Sequence, residues 1–286
     1  MQRKALIKTA LFLGLAASSV GYSTILPPNN LHLQDSLFAQ TGISEEEFNN
    51  VLTYVESVYA PIFESHNAKF VVERAWTDPT VNAYAEKQGT NWVIHMFGGL
   101  ARRPEVTSDG FALVACHEIG HHLGGFPFYF LSDMSVEGEA DYFATHSCAR
   151  LLWSAQLEEN AKSRETVLPA AKAVCDAQFT DEADQNLCYR TAMGGVSLAG
   201  LLGALGGTPN VDITKPSKVV VSSTMQGHPP AQCRLDTYVN GGLCVRTFDE
   251  LKIPKNWTEL KDSSCTAQDG STTGIRPRCW FKPNEL

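Results

Sequence analysis

The 286-residue sequence contains no Gly-x-Ser-x-Gly turn, which removes the usual serine-hydrolase elbow. It has no excess of positive charge: 23 Lys and Arg stand against 31 Asp and Glu, a formal net charge of −8. Such a chain is a poor ligand for nucleic acid or anionic membrane surfaces. It also lacks an apolar run of about twenty residues, the length that crosses a bilayer. The two nearest stretches are Ala10 to Ala17 and the uncharged residues 191–207, the latter seventeen long with six glycines. A tightly packed core helix suits that second composition better than a membrane hairpin. With 43% apolar and 19% charged residues, what remains is an ordinary globular composition, long enough for one sizeable domain or a domain with an appendage.

The first residues stand apart. Arg3, Lys4 and Lys8 precede the apolar run, and small residues follow to Ser23, so residues 1–21 read as a secretory signal peptide. Removing them takes away three positive charges and no acids, moving the formal charge from −8 to −11. No cysteine lies near the cleavage point, so neither a lipid anchor nor a stable membrane anchor is expected, and the location implied is periplasmic or secreted. All eight cysteines lie in the exported part, as a disulfide framework requires. Close spacing favours Cys175 with Cys188, Cys233 with Cys244 and Cys265 with Cys279, leaving Cys116 and Cys148.

The chemistry is concentrated in residues 111–125, Phe-Ala-Leu-Val-Ala-Cys-His-Glu-Ile-Gly-His-His-Leu-Gly-Gly. Here H-E-x-x-H is His117, Glu118 and His121. Two residues four apart share one helix face, so both imidazoles reach one metal ion, while Glu118, one step round, stands beside the ion. Thr107 and Ser108 supply a cap for this helix, and Gly124, Gly125 and Pro127 end it. Cys116, next to a ligand, points off the metal face and reads as packing rather than as a thiolate ligand.

A catalytic zinc takes three protein ligands, so one more must come from elsewhere. Residues 135–144, Ser-Val-Glu-Gly-Glu-Ala-Asp-Tyr-Phe-Ala, offer Glu137 and Glu139. With Ser135 as cap, Glu137 and Asp141 share a face, and Glu139 is turned about 200° away. Glu137 is therefore the expected third ligand, with Asp141 behind it orienting the others. A structural histidine pair beside solvated acids is the bland alternative, and it leaves Glu118 without a purpose.

These motifs resemble the zinc endopeptidases of the HtpX and CAAX prenyl endopeptidase type, gluzincins with H-E-x-x-H followed by E-x-x-A-D. Here the second element is Glu137 to Asp141. Asp78-Pro-Thr-Val-Asn-Ala-Tyr-Ala85 is similar to the family's segment before its active-site strand, and His228-Pro-Pro-Ala-Gln-Cys-Arg234 to its H-P-x-x-x-x-R element. The resemblance covers about residues 78–235. It implies an α+β fold, a mainly helical zincin domain with a small β-sheet ahead of the metal helix. It further implies one Zn²⁺ per chain, His228 over the metal as an oxyanion partner, and Arg234 paired with Asp141.

Along the rest of the chain, Ser44 to Glu47 forms a capping box. An amphipathic helix follows through Phe48, Val51, Leu52, Val55, Val58 and Ile62. Residues 68–76 and 90–97 read as strands, with a weaker one at 82–87, together a meander. In zincins of the resembled type the strand before the metal helix is an edge along which an extended peptide lies. That role falls on Asn91, Trp92, Val93, Ile94, His95 and Met96, whose alternative is ordinary core strand. Arg102 and Arg103 read as a solvated loop, and His122 and His146 as solvent-facing or supporting groups. Helices are expected over 136–158 and 163–178. Cys148 lies eleven residues past Glu137, about 16 Å along a continuous helix, which argues against a bridge to Cys116.

The domains expected are thus the leader 1–21, a zinc peptidase domain 22–244, and a disulfide-tied extension 245–286 that braces the domain or gates its cleft. The function expected is an exported zinc endopeptidase acting on unfolded or extended polypeptide. The rival is a latent or non-catalytic zinc-containing binding or chaperone-like envelope protein.

Overall fold

The computed structural model describes residues 22–34, 42–208 and 210–283. The expected leader 1–21 and part of the loop expected after it lie outside the described residues. The chain opens with β1 (Tyr22–Thr24), then α1 (Glu45–Ser65). The Ser44 hydroxyl accepts from the Glu47 N–H, and the Glu47 carboxylate accepts from the Ser44 N–H. The helix this box starts buries Phe48, Leu52, Val55, Tyr59 and Phe63 on one stripe.

The strands β2 (Lys69–Ala75), β3 (Ala83–Gln88) and β4 (Asn91–Phe97) follow, and the sheet order is β1-β3-β4-β2. A meander would have set β3 between β2 and β4. Instead β2 runs parallel to β4, and the link between β2 and β3 crosses to the far side. Consequently β4 is an interior strand.

After the short α2 (Gly98–Ala101), Arg102 is buried rather than solvated. Its guanidinium donates to the main-chain oxygens of Trp76 at 2.7 Å and Leu33 at 2.9 Å, tying that loop down. Then comes α3 (Ser108–Leu123), capped by Thr107, whose hydroxyl accepts from the Gly110 N–H at 3.0 Å. Every residue of α3 from Gly110 to Leu123 is buried, so the metal motif sits on the central helix of the molecule.

The second motif lies on α4 (Glu137–Phe143), which continues through a π-turn (Ala144–Cys148) into α5 (Ala149–Trp153). The cap is Val136, not Ser135, whose hydroxyl donates instead to Gly125 O at 2.7 Å. The expected helix over 163–178 is two, α6 (Leu157–Thr166) and α7 (Pro169–Gln178), because Pro169 starts the second. Residues 191–205 belong to α8 (Glu182–Leu205). Its glycines let it lie close to its neighbours: a Cβ on Gly195 would stand 2.7 Å from Tyr238 of α9 (Ala231–Leu243). Among the described residues no helix is long and apolar enough to cross a membrane.

Four disulfides close the framework. Cys175–Cys188 forms as spacing suggested, but the other near-neighbour pairs exchange partners to give Cys233–Cys279 and Cys244–Cys265. Each of these two joins the helical domain or its end to the C-terminal segment, an attachment that sequence proximity hides. Cys116–Cys148 also forms, with Cα atoms 5.6 Å apart. The rise from Glu137 to Cys148 does not separate Cys148 from Cys116, because α4 and its continuation run back along α3.

Residues 245–283 pack against the helices that carry the motifs. Trp280 is fully buried against Gly138, where a Cβ would stand 2.1 Å from its ring. Arg276 donates two bonds of 2.6 Å to Glu139, and the Phe126 N–H donates to Pro254 O. The segment contains α10 (Trp257–Ser263), whose Trp257 and Leu260 pack with Trp280 and Phe281.

Candidate metal centre

Gly120, inside the motif, fixes how closely α3 and α4 approach. A Cβ there would stand 2.8 Å from the Ala140 Cα, so any larger residue would push α4 away. At this separation the Glu137 carboxylate reaches both imidazoles, with Oε2 3.3 Å from His117 Nε2 and Oε1 3.6 Å from His121 Nε2. The two Nε2 atoms are 3.0 Å apart. One ligand atom from each of His117, His121 and Glu137 falls within 4.8 Å of the others, and all three residues are buried.

Hydrogen bonds fix which nitrogens face inward. His121 Nδ1 lies 2.8 Å from Ser135 O, and a carbonyl only accepts, so Nδ1 carries the proton and Nε2 presents a lone pair. His117 Nδ1 donates to Asp141 Oδ1 at 2.8 Å. Asp141 is held in turn by Arg234, which donates from Nε at 2.7 Å and Nη2 at 2.6 Å, and by the Tyr238 hydroxyl at 2.6 Å. A carboxylate behind a ligating histidine sets its tautomer and raises its basicity.

Two imidazole nitrogens and a carboxylate oxygen in so small a space need positive charge between them. A proton serves part of this. Burial opposes charge on His117, but Asp141 overcomes it and the imidazole is raised to about 9, whereas burial drives His121 down to about 4. Burial also works against the Glu137 carboxylate, yet His121 and His117 hold it well below the usual range. A divalent ion serves all three groups at once, including Glu137 Oε2, whose nearest ionic neighbour is His117 Nε2 at 3.3 Å. Two histidines and a carboxylate form a zinc donor set, and this one is geometrically suited to a single Zn²⁺.

Glu118 is fully buried and neither carboxylate oxygen has a hydrogen-bond partner. Burial pushes its carboxyl up to about 8. A proton acceptor kept free beside a three-ligand centre is the arrangement of a zinc hydrolase. Glu139, the competing ligand choice, faces Arg276 on the other side of α4.

His228 stands over the centre. Its Nε2 donates to Thr24 O at 2.7 Å and lies 3.6 Å from Glu137 Oε1. The other sequence-level candidates fall elsewhere. Asn91, Trp92, Val93, Ile94 and His95 are in β4, paired with β3 on one side and β2 on the other, so their main chain offers no free edge to a peptide. His95 is bonded to Glu86 and stacked on Tyr84. His122 and His146 are buried and bonded to Val93 O and Arg246 O, not solvent-facing. Cys116, in its disulfide, is no ligand.

Two contributors escaped the sequence reading. The hydroxyls of Tyr129 and Ser23 both donate to Glu137 Oε1, at 2.7 and 2.8 Å. Tyr129 sits in an aromatic stretch on the loop between the two metal helices, where a polar-tipped ring invites attention. Ser23 carries no local signal. No protein-family model, curated protein or solved structure matches the chain, and the site itself is consistent with a gluzincin-type zinc hydrolase.

Proposed function

We propose that the chain is a zinc-dependent endopeptidase, similar to the HtpX and CAAX prenyl endopeptidase type, exported to the periplasm or beyond, that cuts extended polypeptide. The observation that carries this reading is Glu118, a fully buried carboxylate with no protein partner beside a three-ligand donor set. A binding protein with a structural zinc has no use for such a group. Zinc bound by His117, His121 and Glu137 would supply Lewis acidity, lowering the pKa of water and polarising the carbonyl to be attacked.

The remaining work is done by side chains. Glu118 accepts the proton of the attacking water and returns it to the leaving amine. His228 Nε2 donates to the oxygen that becomes an oxyanion, a contact of the kind whose loss costs roughly two to three powers of ten in rate. Asp141, locked by Arg234 and Tyr238, holds the His117 ring and its tautomer, and Ser135 O does so for His121.

The test is hydrolysis of an unfolded protein by the zinc-loaded chain, before and after chelation and with zinc restored, alongside Glu118→Gln. Activity should follow zinc and vanish in Glu118→Gln while that variant retains its metal. Equal rates in parent and variant would overturn the reading.

A further inference from the structure

The chain's own residues 22–24 run past the metal centre as β1, and a bend at Ile25 and Leu26 follows. β1 is the outer strand of the sheet on that side and pairs antiparallel with β3, in the register Ser23 with Ala85 and Thr24 with Tyr84. The Ile25 N–H continues the ladder by donating to Ala83 O at 3.1 Å. This is how a peptide adds to an open sheet edge, through main-chain bonds that tolerate varied sequence.

Successive groups of this segment meet the groups that a bond under attack would need. The Thr24 carbonyl accepts from His228 Nε2 at 2.7 Å. The following carbonyl, of Ile25, accepts from Arg234 Nη1. The Ser23 hydroxyl donates to Glu137 Oε1 at 2.8 Å, on the acyl side. Ile25 is 0% exposed, its side chain seated in the main apolar cluster, and Ser23 and Thr24 are also buried.

We infer that this segment occupies the substrate groove in a substrate's register, so that peptides lie antiparallel along β3 with the bond equivalent to Thr24–Ile25 at the centre. The inference rests on the peptidase reading and adds the docking strand, the bond and the side-chain class. Small hydroxyl residues precede the cut, and a branched aliphatic residue follows it. The chain is its own first substrate. The oxygen of water adds to the Thr24 carbonyl carbon and the carbon–nitrogen bond to Ile25 breaks. Thr24 becomes a carboxylate, and Glu118 passes the water's proton to the Ile25 nitrogen, which leaves as an amine. Until then the groove is filled from within.

The probe is a synthetic peptide of residues 20–31, given to the zinc-loaded full chain, with an unfolded protein substrate in a parallel arm. Mass spectrometry should find one cut, leaving a fragment that begins at Ile25, and the same new terminus on the chain itself. A peptide carrying Ile25→Asp should be cut at least about 10-fold more slowly, because a charge replaces the apolar group in a dry pocket. If the unfolded protein is cut but the peptide is left intact or cut at another bond, the register is overturned and the peptidase reading survives. If neither is cut, both fall.

Discussion

Asp141 Oδ1 accepts the Nδ1 proton of His117 at 2.8 Å from a position one full turn past Glu137 on the same helix. One short helix thus supplies both a ligand and the group that orients another ligand. Removing that group's charge while keeping its shape isolates its effect. Asp141→Asn should weaken zinc binding by about 10- to 100-fold, measured by competition with a chromophoric chelator. Unchanged affinity would mean that the His117 ring is positioned by packing alone.

Metal and stability are linked through the same groups. Zinc at a hundred times its dissociation constant contributes about 2.7 kcal/mol, which for a chain of this size is roughly 5 to 10 °C in Tm. Scanning calorimetry with and without chelator should show that difference in the parent and lose it in His117→Ala. An equal shift in that variant would place the stabilising ion elsewhere.

The Cys116–Cys148 bridge ties α3 to the turn that continues α4, closing a loop with a sequence separation of 32. By loop entropy such a link contributes on the order of 3 to 4 kcal/mol. The double variant Cys116→Ala, Cys148→Ala should lose about that much in urea unfolding, with a lower zinc affinity because the two metal helices are freer. A loss confined to a few tenths of a kcal/mol would show that packing already fixes their distance.

Glu250 gives the fold a pH dependence of its own. Burial pushes its carboxyl up to about 7, against the Ser147 and Tyr59 hydroxyls that favour the ion. Between about 4.5 and 7 the folded state holds a proton that the unfolded state releases, so stability falls as pH rises through this window. The contribution present at low pH and lost by neutrality is roughly 3 kcal/mol at most. Glu250→Gln should flatten the unfolding free energy across that range; a variant with the parent's slope would assign the dependence to other groups.

What was legible in the sequence was local and periodic. The capping box at Ser44, the motif helix from Thr107 and the face shared by Glu137 and Asp141 all follow from helical spacing, and each stands where that spacing puts it. The small sheet ahead of the metal helix was legible as strands but not as an order of strands. Nothing in residues 68–97 says that β2 pairs parallel with β4, and that pairing makes Asn91 to His95 an interior strand and leaves the edges to β1 and β2. Disulfide partners failed for the same reason, since Cys233 meets Cys279 only once the C-terminal segment has folded back over α4. Ser23 was invisible because its importance lies in a contact with Glu137, 114 positions away.

The state expected of the site is one ion held by His117, His121 and Glu137, with room beside Glu118. Anomalous diffraction at the zinc edge from crystals of the zinc-loaded chain tests it most directly. One peak should lie about 2.0 to 2.2 Å from both Nε2 atoms and a Glu137 oxygen, with no fourth side chain in contact. A peak elsewhere, or one closed off by His228 as a fourth ligand, would contradict the account.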